Sequence, residues 1–321
     1  MYEIAQQVQD WQTAGREVRV GTVVATSGFS SREPGVAAAW TDGEPTAGRL
    51  VAGLGPERIT GDGLVEVPVS ADDAAGAGLS CGGVATILVQ PATAYPAELW
   101  QRLRGREPLC LVTSVSDGNT ELFTPETING VAGHGSEIAR LFGRGTSQTA
   151  VLDERTVVVT LWPVPRLVVV GDGLIADALC EAAKLLGWQA STAPGAAEAV
   201  AGVAGLQRSD AVVVLSHDRD VDGPVLAAAL TAGVGYVGAL GARHTQAARR
   251  EWLTERGVAA EDQARIHGPA GLDLGAHTPA EIAVSIVAEI LAMRSGASGA
   301  ALRERKGPVH VTGVQAPPPR Y

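Results

Sequence analysis

Apolar runs in the second half of the chain recur at regular intervals, and each is followed by a stretch with helical spacing. The pattern predicts strands at 167–170, 188–192, 211–215, 234–238 and 264–266, alternating with helices at 174–186, 195–205, 222–232, 243–256 and 279–294. Strand–helix alternation of this length implies right-handed crossovers and a doubly wound parallel sheet. In such a sheet the carboxyl ends of all strands lie along one edge, where ligands bind.

The first half has a different texture. Ile4, Val8 and Trp11 share one helical face within residues 2–14, and Val18 to Thr26 reads as a strand. Further β-branched runs at 84–89, 109–115 and 156–161, with helices expected at 95–104 and 136–142, give an α+β unit. The stretch from Ser27 to Gly63 is rich in turn residues. Pro163 and Pro165 mark a natural boundary, because proline donates nothing to a sheet ladder and restricts its predecessor. The expected organisation is an α+β domain over 1–163, a Rossmann-like domain over 164–296 and a loosely ordered tail over 297–321.

Composition narrows the classes. The 321 residues are 45% hydrophobic, which suits two globular domains. With 35 acidic against 25 basic side chains, the net charge of −10 offers no broad footing for nucleic acid or an anionic membrane. The amino terminus lacks a basic segment followed by an apolar one, and no apolar run approaches a membrane span, so a cytoplasmic protein is expected. Three widely spaced cysteines, Cys81, Cys110 and Cys180, form neither a disulfide framework nor a zinc pattern.

Candidate chemistry lies in the turns after the strands. Gly171-Asp-Gly173-Leu-Ile-Ala176 has the G-x-G-x-x-A form between a strand and a helix, which turns backbone amides toward a phosphate. Tight strand-to-helix packing explains the same glycines. The stretch Trp188–Gly195 carries no carboxylate to hold a dinucleotide ribose. Ser216-His217-Asp218 puts an imidazole beside a carboxylate at a strand end, suited to orienting a ligand or moving a proton, while Asp218–Asp222 also reads as a helix cap, with Asp222 best explained that way. Gly238 and Gly241 lead to Arg243, either a fork for an anion or a solvated side chain. Gly271 and Asp273 precede a capping box of Thr278 and Glu281. In the first half, Cys81 stands beside Gly82 and Gly83, where a thiolate could contact sulfur or a soft metal, or be an inert small hydrophobe. Residues 28–35 read as a phosphate-facing loop or a plain turn.

Four ordered segments, Gly78–Gly83, Val214–Asp218, Tyr236–Gly241 and Gly268–Asp273 running on through Thr278–Ser285, resemble the XdhC/CoxI family of maturation factors for xanthine dehydrogenase and carbon monoxide dehydrogenase. The resemblance spans about residues 4–294 and implies an XdhC/CoxI domain followed by a Rossmann domain, often dimeric. It further implies an accessory maturation factor more than a stand-alone enzyme: one that binds the molybdenum cofactor, as molybdopterin or its nucleotide form, helps it gain sulfur from a cysteine desulfurase and delivers it to a molybdenum hydroxylase. Cys81 would then contact molybdenum or the transferred sulfur. The family's glycine-rich Cys-x-Glu segment departs here, with Leu54 and Pro56 at the Cys and Glu positions. The alternatives are an NAD(P)-dependent oxidoreductase and a ligand-sensing scaffold.

Overall fold

The computed structural model describes residues 1–28, 35–51, 54–76, 82–153, 155–216 and 218–304. These fall into two compact units, Met1–Pro163 and a second beginning at Val164.

The first unit runs α1 (Ala5–Thr13), β1 (Arg19–Ser27), β2 (Ala37–Trp40), β3 (Ala47–Gly48), β4 (Gly63–Val69), α2 (Ala71–Gly76), β5 (Gly83–Pro91), α3 (Leu99–Arg104), β6 (Leu109–Ser114), β7 (Thr120–Phe123), α4 (Gly135–Phe142), β8 (Gln148–Val151) and β9 (Thr156–Leu161). Its strands form two sheets, ordered β3-β2-β1-β5-β4 and β7-β6-β9-β8, antiparallel throughout. Both are apolar on two faces, and period-2 alternation sorts the side chains. Leu109, Leu111, Val157 and Val159 join Val20, Val24, Leu88 and the inner faces of α1 and α3 in one core. Cys110 and Val158 turn the other way, onto Ile138, Leu141 and Phe142 of α4. The helix expected at 95–104 begins only at Leu99. Pro96 holds Tyr95 in extended backbone, so the first turn cannot form there.

The second unit alternates strand and helix, with one extra short helix before the last strand: β10 (Arg166–Val170), α5 (Leu174–Leu185), β11 (Gln189–Ala193), α6 (Ala196–Val203), β12 (Ala211–Val214), α7 (Arg219–Thr231), β13 (Tyr236–Ala239), α8 (Arg243–Glu255), the short α9 (Ala260–Gln263), β14 (Ile266–His267) and α10 (Pro279–Ser295). The sheet order is β11-β10-β12-β13-β14, and every pairing is parallel. Val168, Val170, Val212, Val214, Val237 and Ala239 bury against α6, α7 and α8. Leu167, Val169, Val213 and Tyr236 bury against α5 and α10 on the opposite face. Buried on both sides, the central strands are nearly continuous apolar runs. The α/β class with a Rossmann-like carboxyl-terminal sheet is therefore as expected. Gly296, in left-handed backbone, stops α10, and the tail beyond residue 304 lies outside the described residues.

Candidate functional site

The chain leaves β10 to one side for β11 and returns past it to β12, so the strand order reverses between β10 and β12. A crevice opens at the carboxyl ends of two such strands. Gly171, at φ +118°, donates its amide to the Ala193 carbonyl at 3.0 Å. A Cβ on it would stand 3.5 Å from the Ser216 nitrogen, so the turns after β10 and β12 lie against each other. Gly173, at φ +91°, is the N-cap of α5, and a Cβ there would meet only open space. No side chain caps α5, which leaves its first amides directed past Gly173.

After β12, Ser216 Oγ accepts the Asp218 amide at 3.0 Å, and Asp218 Oδ1 accepts the Asp220 amide at 2.9 Å. Asp218, proposed for proton transfer, is thus the N-cap of α7. The expectation that Asp222 caps this helix is overturned. It lies inside the first turn, buried, and pairs with Arg249, whose Nε and terminal nitrogen stand 2.8 and 2.6 Å from Oδ2. His217 lies outside the described residues.

Arg249 and Gln246 were not anticipated from sequence, and they tie the rim together. Arg249 donates to the Leu240 carbonyl at 2.6 Å and the Ser216 carbonyl at 2.7 Å, joining the turns after β13 and β12. Gln246 Nε2 donates to the Ala239 and Gly241 carbonyls at 3.0 and 3.2 Å. Its amide fills the place of a Cβ on Gly268, at the start of the loop after β14. Both lie on the inner face of α8 with Leu253, at i, i+3 and i+7. That spacing around an apolar anchor was the available signal.

Some expected ligand contacts have packing reasons instead. The Tyr236 ring occupies the place of a Gly238 Cβ. Gly271, at φ +108°, faces Ser285 Oγ, and its amide donates to Glu289 Oε2 at 2.8 Å rather than to a guest. The same oxygen accepts from Tyr236 Oη at 2.6 Å, and Oε1 pairs with His267 Nδ1 at 3.0 Å. Burial works to raise the Glu289 pKa, but the hydrogen bonds from Tyr236, Gly271 and His267 outweigh it and hold the carboxyl below its usual value. Burial pushes the Tyr236 phenol upward, reinforced by that carboxylate. Arg243, the first residue of α8, and Asp273 are exposed.

Residues 167–290 match the XdhC Rossmann domain model. The chain carries an XdhC Rossmann domain. The resemblance to the XdhC family read from the sequence is therefore borne out. Among curated proteins, the chain is 31% identical over 169 residues to the uncharacterized protein YqeB of Escherichia coli K12, covering 47% of this chain and 31% of that protein. It is 32% identical over 135 residues to the molybdenum cofactor insertion chaperone PaoD of the same organism, covering 41% of each. The chain thus spans well under half the length of either relative. A crystal structure described as a xanthine dehydrogenase from Bacillus halodurans aligns with 93% of this chain and 98% of its own, at 18% identity and a TM-score of 0.43.

Outside the XdhC Rossmann domain the candidate residues are fewer. Cys81 lies outside the described residues, as do positions 29–34 of the glycine-bounded loop. Gly82 sits where a Cβ would overlap the backbone between Val69 and Ala71, and Gly83 pairs with Val69 in the sheet. Leu54, which the resemblance sets at a cysteine position, is a buried core residue, and Pro56 opens a single 3-10 turn. Burial pushes the Cys110 thiol up to about 12, the state of an inert thiol. Burial raises the partly exposed Cys180 as well. Among the described residues no group of three or more His, Cys, Asp or Glu side chains is placed to hold a metal, and no helix is long and apolar enough to cross a membrane.

Proposed function

We propose that this chain is a maturation factor that holds the molybdenum cofactor as cargo and passes it to a molybdenum hydroxylase of the xanthine dehydrogenase or carbon monoxide dehydrogenase type. The observation that carries the reading is the Gly171–Gly173 turn of an XdhC Rossmann domain, set at the reversal of strand order with open space beyond Gly173. A pterin phosphate suits that place, because helix amino-terminal amides bind phosphate oxygens without a cationic side chain. The relative PaoD, a molybdenum cofactor insertion chaperone, supports the same role.

The finer steps belong to the same proposal. Molybdopterin or its nucleotide form is the cargo, a cysteine desulfurase supplies the terminal sulfur, and Cys81 contacts molybdenum or that sulfur. The protein works in the cytoplasm as a homodimer. Nothing acidic closes β11, which runs into Pro194 and Gly195, so the ribose contact expected of an NAD-dependent oxidoreductase lacks its usual acceptor.

The test is molybdenum and pterin analysis of the full chain purified from cells that make the cofactor, beside Cys81→Ala and Gly173→Val. Wild type is expected to retain both molybdenum and pterin. Gly173→Val should lose both, and Cys81→Ala should lose molybdenum or its sulfur preferentially. Wild-type protein that carries NADP and no molybdenum would overturn the reading in favour of the oxidoreductase.

A further inference from the structure

The rim is built around a buried guanidinium. Arg249 and Asp222 have side chains only 5% and 3% exposed. A pair this deeply buried adds little net stability, because desolvation offsets its attraction. What it supplies is direction. Asp222 neutralises the charge and fixes the plane of the fork, which then grips the carbonyls of Ser216 and Leu240. In a trans peptide the carbonyl and the following amide point opposite ways. With the Leu240 oxygen drawn to Arg249, the Gly241 amide is aimed away from the buried guanidinium. The Leu240 amide, in the preceding peptide unit, donates to the Val214 carbonyl at 2.8 Å, so Leu240 is held at both its amide and its carbonyl. Gly241 adopts φ +128°, a conformation that side chains rarely tolerate, which lets the peptide keep this orientation.

We infer that Arg249 is the positioning residue of the cargo rim: by drawing the Ser216 and Leu240 carbonyls inward, it turns the Gly241 amide, in place of a carbonyl oxygen, toward an anionic guest. Carbonyl oxygens facing the crevice would repel a phosphate, whereas amides attract it. Arg249 does not touch the guest, since its bonds run to the two carbonyls and to Asp222. Lysine keeps the charge but not the planar fork, and cannot hold both carbonyls in the same geometry. The inference rests on the cargo reading above and deepens it.

The test uses the full chain labelled with nitrogen-15 at glycine, the Gly241 resonance being assigned from its loss in Gly241→Ala. Inorganic phosphate and molybdopterin are titrated separately. In wild type the Gly241 amide should shift with phosphate. In Arg249→Lys its ligand-free position should move and phosphate binding should weaken by about tenfold or more, while thermal unfolding stays cooperative. Should Arg249→Lys fail to fold, the double variant Asp222→Leu with Arg249→Met replaces the pair by apolar volume and is read the same way. A silent Gly241 in wild type, or a variant that binds phosphate as wild type does, overturns the inference. If phosphate moves Gly241 but molybdopterin is not captured, the cargo reading falls and the role of Arg249 stands. If molybdopterin binds with Gly241 unmoved by either probe, the reverse holds.

Discussion

Gly173 and Gly271 both carry positive φ, at 91° and 108°, yet a methyl group would meet open space at the first and Ser285 Oγ at the second. One glycine keeps room for a guest, and the other keeps room for the protein's own side chain. The difference predicts opposite phenotypes. Gly173→Ala should cost about 1–3 kcal/mol of backbone strain, with a loss of cargo binding larger than that modest destabilisation accounts for. Gly271→Ala should carry the same strain plus roughly 1–3 kcal/mol of overlap, with binding reduced only as far as the unfolded fraction requires. Urea titration of each variant alongside cargo binding separates the two. Equal stability losses would refute the distinction.

At the scale of elements, α10 does more than cover one face of the sheet. Thr278 and Glu281 close its amino terminus with a capping box, as the sequence leads one to expect. Two turns further on, Glu289 gathers Tyr236, His267 and the Gly271 amide, which fastens the loop after β14 to the helix. Its carboxyl pKa is held below the ordinary value of about 4.3. A depressed pKa means that the ionised group stabilises the fold above that ordinary value, and that this contribution is lost as pH falls through the lowered one. Glu289→Gln should therefore be less stable near neutrality and should lose less stability than wild type on acidification. Urea midpoints across that pH range would show it, and parallel curves for the two proteins would contradict it. Elements of this kind differ in how legible they were. The β10, β12 and β13 strands announce themselves because burial on both faces demands apolar runs, which here end in polar or glycine turns. β2, Ala37–Trp40, is built mostly of alanine, and β4 carries Pro68. Residues of low strand propensity leave little signature, and their pairing with β1 and β5 is what makes them strands. The turns of the candidate site could be read, but their linkage through Arg249, Gln246 and Glu289 could not. Polar residues inside a helix look alike in sequence whether they face water or the ends of a sheet.

For the molecule as a whole, the arrangement of cores sets how it should come apart. Among the described residues, the apolar clusters of the first unit draw on residues between Met1 and Trp162, and those of the second on residues between Leu167 and Met293. Leu99 is fully buried in one cluster of the first unit and Leu179 in one cluster of the second. Truncating either to alanine removes contacts from one core and should cost roughly 2–5 kcal/mol there. Substitutions without shared partners act independently. Calorimetry of the full chain should then show two resolvable transitions, one lowered by Leu99→Ala and the other by Leu179→Ala. Cargo that binds at the ends of β10, β12 and β13 should raise the transition that Leu179→Ala lowers, because a ligand stabilises the unit whose folded state holds it. A single transition that moves equally with both substitutions would mean that the two cores fold as one, and a cargo that raised the first transition alone would place the site in the other unit.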